Sequence, residues 1–320
     1  MKSSLFNQIL QAQWFKITAN LLVLILSVYF IAKRLGDDSL WLSLQNLNIR
    51  LPWWIFPSLT FFWFLNFQLD IKLWQKAVSG FHKINARAAF ADNLKFYTYA
   101  FISPANSGGL LARINRYISR RDRAWALISS TQLGTARYMA RISIGGSLSV
   151  YLVVNYLATQ PLAIFLSIAF ALITIIIILN LGRLVRFKWL RRFTFLKKLV
   201  PKPSRKNRFK NTLFYLACMR FVSFNIQLVL ILYIFGAPLS LEMLINVPSF
   251  FFVSTLIPAL PAFDFIVKGA VGLLAFDYFN QMPDILLVST TLLWIMNWAI
   301  PALAGVFVKR KKRPVAKDLN

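Results

Sequence analysis

Two stretches decide how this 320-residue chain folds: SPANSGGLLAR, Ser103–Arg113, and IPALPAFDFIVKG, Ile257–Gly269. Each interrupts apolar sequence with proline, small residues and polar groups, and each then presents a basic side chain. Backbone that leaves the helix cannot face lipid, because its N–H and C=O groups find no water there. It must be buried in protein or line a wet cavity. Paired interruptions in the two halves of a chain point to a transport site.

The sequence around them supports a membrane setting. The chain is 58% hydrophobic, its mean hydropathy is +0.59, and apolar runs occupy about 14–32, 51–71, 94–112, 124–155, 162–182, 212–235, 243–258, 262–279 and 285–308. Several reach the ~20 residues that span a bilayer. The formal charge of +27, from 37 Lys and Arg against 10 Asp and Glu, would suit a nucleic-acid binder. The basic residues instead cluster in short connectors beside apolar runs, the positive-inside pattern. The single Cys218 cannot form an internal disulfide, and the single His82 cannot belong to a Cys/His metal cluster. No cofactor is expected. The first run follows Lys2 and Lys16 without an evident cleavage site, which reads as a retained signal anchor.

Charge counting gives a topology. Connectors 72–95 and 113–123, the stretch 183–210 with twelve basic and no acidic residues, and the tail from Lys309 are all strongly basic and belong on the cytoplasmic side. The basic-poor connectors 33–50, 156–161, 236–242 and 280–284 belong outside. Segment 94–112 then enters and leaves on one side, as a re-entrant hairpin turning near Pro104–Gly109. The runs 243–258 and 262–279 likewise go in and return, turning at Pro258–Ala262. At about 1.5 Å per residue, sixteen residues cover about 24 Å of a ~30 Å core. The expected fold is therefore an all-α polytopic membrane helix bundle, a single domain over 1–320. It has about six full spans, two opposed re-entrant hairpins and both termini cytoplasmic. Half one is about 1–182, the loop 183–210, half two about 211–308 and the basic tail 309–320. Hairpins of opposite sense suggest an inverted repeat.

Charges inside apolar runs are the candidates for chemistry, since a mid-bilayer cation costs about 2.5–3.5 kcal/mol on insertion scales. Arg137 and Arg141 share a helix face, continued by Gly134 and Gly145, with Gln132 a turn earlier. Paired guanidinium forks suit a phosphate headgroup; the plainer reading is that both snorkel to the interface. Asp264 and Lys268, four apart, form either a self-neutralising pair or a pair exchanged with substrate. Arg220 reads mainly as snorkelling. Arg113, Arg116, Arg120 and Arg123 fall at helical spacing as one basic stripe, with Arg113 nearest the turn. Asn106, Ser107, Gly108 and Gly109 can offer backbone N–H groups at a half-helix start. Asp70 and Asp92 either pair with the arginines or lie at the interface. Trp53, Trp54, Trp294 and Trp298 read as aromatic belts. No nucleotide loop, nucleophile elbow or HExxH motif is present, so no enzyme is expected.

In order, SPANSGGLLAR (103–113), SSTQLGTARYMARISIGG (129–146), PALPAFDFIVKGAVGL (258–273) and LLWIMNWAIPALAG (292–305) resemble the lysylphosphatidylglycerol synthase transmembrane-region, flippase-like family, most closely its Bacteroidetes branch. The resemblance covers nearly the whole chain. It implies a bacterial inner-membrane protein related to the lipid-flipping half of aminoacyl-lipid synthases, without their transferase domain. Pro104, Gly108, Gly109 and Arg113 match the family's first broken segment. The acidic residue usual after the glycine is missing, and Asp264, Lys268 and Gly269 stand where the second segment usually has Arg-Glu. The expectation is a lipid translocator whose partners are membrane lipids with anionic or modified headgroups, engaged by Arg113, Arg137, Arg141, Asp264 and Lys268, with no nucleic acid. The alternative is a scaffold or accessory subunit for a separate cell-envelope enzyme.

Overall fold

The computed structural model describes Leu22, Ile25, Tyr29 and residues 52–103, 106–157, 160–184, 211–257 and 259–309. Nearly all of the first apolar run, the turn residues Pro104, Ala105 and Pro258, the basic stretch 185–210 and the end of the tail lie outside the described residues. The described residues are helical, with no strand among them. In chain order the helices are α1 (Ile55–Val78), α2 (Ala86–Phe101), α3 (Ser107–Ile114), α4 (Arg120–Arg141), α5 (Ser147–Leu157), α6 (Gln160–Leu184), α7 (Asn211–Ile234), α8 (Leu241–Ser254), α9 (Asp264–Ala275), α10 (Asp277–Asn280), α11 (Pro283–Trp294) and α12 (Ile300–Val306). A π-helical turn, Ile142–Gly146, joins α4 to α5, and another, Ile295–Ala299, joins α11 to α12.

Local chemistry sets the boundaries. The Asn85 side chain accepts from Ala88 N at 2.8 Å and starts α2. Ser119 accepts from Arg121 N and Asp122 N to start α4, and Ser240 accepts from Met243 N to start α8. These are ordinary N-caps, each satisfying donors that the first turn leaves free. Pro283 opens α11, where its missing N–H costs nothing.

Both interrupted stretches are broken helices, as the sequence predicts. The first is α2 and α3, of 16 and 8 residues. The second is α8 and α9, of 14 and 12 residues. At 1.5 Å per residue the longest arm is about 24 Å, short of a bilayer core. The first arm starts at Ala86, well inside the segment expected as a connector, because the Asn85 cap and an apolar face extend it. Two of the helical runs are long and apolar enough to cross a membrane, Asn211–Ile234 and Pro283–Val306. Of the other expected spans, the first lies almost wholly outside the described residues, α6 counts as a shorter apolar helix over Gln160–Ile176, and α1 and α4 do not qualify. Asp70, Lys72 and Lys76 dilute the second half of α1, and α4 opens on RRDR.

The order long helix, broken hairpin, helix with a π-turn occurs twice: α1, α2–α3, α4–α5, then α7, α8–α9, α11–α12. Helices α1 and α7 pack closely and run antiparallel. Trp54 lies near Tyr233 at 6.1 Å, Ser223 Oγ donates to Phe62 O at 3.0 Å, and Asp70 meets Arg220. Helix α12 lies on α2, and α5 on α8, so the helix that follows the π-turn in each half covers the hairpin of the other. Both seats depend on glycine. A Cβ on Gly305 would stand 2.2 Å from Thr98 Oγ1 and 2.3 Å from Leu94 O; one on Gly145 would stand 2.5 Å from Pro248 O. Gly134, on the same helix face as Gly145 in the sequence reading, has open space around it.

The largest core surrounds Phe250, Phe279, Leu228 and Leu232, and a second surrounds Trp74, Leu133 and Leu213. Much apolar surface stays outside. Phe56, Phe61 and Phe64 on α1 and Phe165, Leu172 and Ile173 on α6 are each more than half exposed. A soluble monomer seldom leaves such surface uncovered.

Candidate functional site

The interior charge centres on Asp70, which the sequence leaves either paired with the arginines or at the interface. It is 1% exposed. Arg137, from α4, pairs with its Oδ1. Arg220 Nε, from α7, lies 3.2 Å from the same oxygen, and Tyr97 Oη, from α2, donates to Oδ2 at 3.1 Å. Arg220 also donates to Tyr97 Oη at 3.4 Å. Arg220 is therefore no snorkelling residue. The antiparallel packing of α1 and α7 delivers it to Asp70, and a carboxylate this deep requires such partners.

Arg141 stands one turn beyond Arg137, half-buried. It feels the charges of Arg137 and Arg220 on one side and of Asp264 on the other. Among the described residues it makes no hydrogen bond or ion pair. Asp264 and Lys268 form the expected i,i+4 pair inside α9, with Lys268 Nζ 5.4 Å from the Phe251 ring and 5.8 Å from the Phe224 ring. Phe224 is one turn from Arg220 on α7. The second hairpin's charge pair thus borders the arginine cluster through Arg141.

Arg113 behaves differently from expectation. It is 3% exposed, held between Trp74 and Phe96 with its guanidinium carbon 4.4 Å and 4.1 Å from the ring centres, and it donates to Asn93 Oδ1. Its charge reaches Asp70 without contact. The basic stripe that was to follow it is broken. Helix α3 ends at Ile114 and α4 begins at Arg120, so Arg113, Arg116, Arg120 and Arg123 share no helix face. Arg116 pairs instead with buried Asp92, which also accepts from Trp74 Nε1 at 3.1 Å, and Arg123 Nε donates to Tyr117 O at 2.8 Å.

The start of α3 is a packing feature. Asn106 takes a left-handed φ of 60°, which asparagine tolerates. Gly108 N–H donates to Ser103 Oγ at 2.9 Å. Gly109 lies so close to Phe96 that a Cβ would meet the ring at 2.7 Å. Ser107 only opens the helix, and Gln132 lies half-buried on α4, more than a turn from Arg137.

The two hairpins meet at Trp294, which the sequence suggests as a belt residue. Its Nε1 donates to Pro261 O at 2.7 Å, beside the second turn. Its ring lies 5.7 Å from Phe101 of the first hairpin and 4.8 Å from Phe265 of the second. Trp298 likewise faces inward, edge-on to Tyr97 at 5.2 Å. Below Asp70, Asn66 Nδ2 donates to Asn297 Oδ1 at 2.6 Å, and Asn297 Nδ2 donates to Gln227 Oε1 at 3.2 Å and Leu293 O at 3.0 Å. These amides come from α1, the second π-turn and α7, and sequence reading missed Asn297 and Gln227. Their only signal was polarity inside apolar runs.

Among the described residues, no group of His, Cys, Asp and Glu could hold a metal ion. The arrangement is suited to binding an anion by charge and guanidinium geometry. Comparison with known protein families, curated proteins and solved structures returns no match.

Proposed function

We propose that this chain is a lipid translocator of the flippase-like family, embedded in a bacterial inner membrane, which passes an anionic or modified headgroup between two opposed hairpins while the acyl chains stay in the bilayer. The observation that carries the reading is the cluster of Arg137 and Arg220 paired on Asp70 with Arg141 beside them, next to two broken helices whose ends share Trp294. Half-buried cations at such a place engage a substrate or a partner. Short helix arms and irregular turns inside a bundle suit a cavity rather than a lipid face.

The exposed apolar surface of α1 and α6 supports embedding. The antiparallel α1 and α7, each followed by a hairpin that the other half covers, support an inverted repeat; in this reading the basic connectors set six full spans, two re-entrant hairpins and cytoplasmic termini. In this reading Arg141 receives the headgroup, Arg137 and Arg220 hold the cluster on Asp70, and the Asp264–Lys268 pair borders the route. Arg113 anchors the first hairpin.

The test is a reconstituted-liposome assay of headgroup exposure. Wild type should move phosphatidylglycerol between leaflets, and Arg141→Gln should lose most of that rate while keeping its melting temperature. Full activity in both Arg141→Gln and Lys268→Gln would remove the site. Topology is checked by labelling Lys83→Cys and the exposed Leu239→Cys in a Cys218→Ser background; reaction of both from the same side would overturn the opposed hairpins.

A further inference from the structure

The charges in the cluster do not balance, and the size of the imbalance speaks to the ligand. Asp70 lies within electrostatic reach of Arg113, Arg137 and Arg220, and Arg141 within reach of Arg137 and Arg220. The neighbouring acids, Asp264 within reach of Arg141 and Asp92 within reach of Arg113, each bring a cation of their own, Lys268 and Arg116, and so cancel from the count. Four guanidinium groups against one carboxylate leave three positive charges over. Arginine does not discharge inside a protein, and buried charge is costly unless paired.

Hydrogen-bond capacity points the same way. The Nε atoms of Arg113, Arg137 and Arg220 are buried and have no hydrogen-bond acceptor among the described residues. The ion pair of Arg220 Nε with Asp70, at 3.2 Å, is off the hydrogen-bond direction. Arg141 adds a whole guanidinium fork. A phosphodiester brings one negative charge and two free oxygens. A terminal phosphate brings up to two charges and three free oxygens, each able to accept from more than one N–H.

Resting on the translocator reading, we propose that the group this cluster takes is a terminal phosphate in its dianionic form, a phosphomonoester rather than a phosphodiester. Arg141 supplies the first fork, and Arg137 and Arg220 are shared between the phosphate and Asp70. The same chemistry is carried by a lipid with a terminal phosphate and by free phosphate.

The full chain is reconstituted in phosphatidylcholine vesicles with either phosphatidic acid or phosphatidylglycerol at equal mole fraction, and headgroup transfer is followed from about pH 5 to pH 8. Phosphatidic acid should move about tenfold faster or more at the upper end, the worth of one further charge-assisted hydrogen bond. The advantage should shrink as pH falls through the second phosphate ionisation near about 6. Arg141→Gln should bring phosphatidic acid down toward the phosphatidylglycerol rate, and Arg141→Lys should keep part of the preference, which separates charge from folding. A parallel arm titrates inorganic phosphate into protein in phosphatidylcholine nanodiscs. Stabilisation by phosphate without transfer of phosphatidic acid would uphold the dianion and assign it to a soluble source. Equal rates for the two lipids at every pH would overturn the dianion while leaving the translocator reading in place. No lipid transfer and no phosphate binding would remove both.

Discussion

Replacing Asp70 by Asn isolates what the buried carboxylate does. The side chain keeps its shape, but the charge goes, and one head atom becomes a donor aimed at groups that are themselves donors. Asp70 is 1% exposed, accepts from Tyr97 at 3.1 Å and from Arg137, and forms an ion pair with Arg220 at 3.2 Å. Little solvent is present to screen the loss. Removing one partner of a buried pair costs about 3–5 kcal/mol, a shift of about 10² to 10⁴ in the folding equilibrium. Thermal unfolding of the full chain in detergent, followed by helical circular dichroism, reads this directly. The double variant Asp70→Asn with Arg137→Gln removes one of the cations left stranded. It should be less destabilised than the two single changes added together, by about 0.5–3 kcal/mol. If Asp70→Asn changes stability by less than about 0.5 kcal/mol, or if the two changes simply add, the cluster is wetted and screened and the charge argument is wrong.

Three further substitutions probe the scaffold. Gly305→Ala puts a Cβ 2.2 Å from Thr98 Oγ1 and 2.3 Å from a backbone oxygen, and should cost about 1–3 kcal/mol by lifting α12 from α2. Gly134→Ala, where nothing lies within 4 Å, should gain about 0.5–1 kcal/mol from helix propensity; the pair is compared by melting temperature. Trp294→Phe deletes the 2.7 Å hydrogen bond to Pro261 O, should cost about 1 kcal/mol, and should speed hydrogen exchange over residues 257–265. Arg113→Lys keeps the charge but loses the planar stack on Trp74 and Phe96, a loss of about 1–2 kcal/mol, whereas Arg141→Lys should leave stability unchanged.

What could be read from the sequence was whatever depends on local pattern. The two interruptions announce themselves as proline and glycine inside apolar runs, and both become broken helices. The Asp264–Lys268 spacing alone gives an ion pair on one helix face. What could not be read depends on which helices touch. Asp70 looks like a residue at the end of a span until α7 brings Arg220 beside it. Trp294 looks like a belt residue until both hairpins arrive at its ring. The basic stripe fails for a local reason: Ser119 caps a new helix and resets the face, and helical spacing alone cannot register a restart. Asn297 could not be singled out, because its value lies in bridging Asn66 and Gln227 across three segments.

The reciprocal seating of α12 on α2 and of α5 on α8 also bears on assembly. Each half holds the piece that shelters the other half's weakest element, a short helix arm with irregular backbone behind it. Synthesis must therefore leave the first hairpin uncovered until the last helix arrives. A chain cut within 185–210 should regain its structure only when both fragments occupy the same bilayer, in the way two clasped hands hold only as a pair.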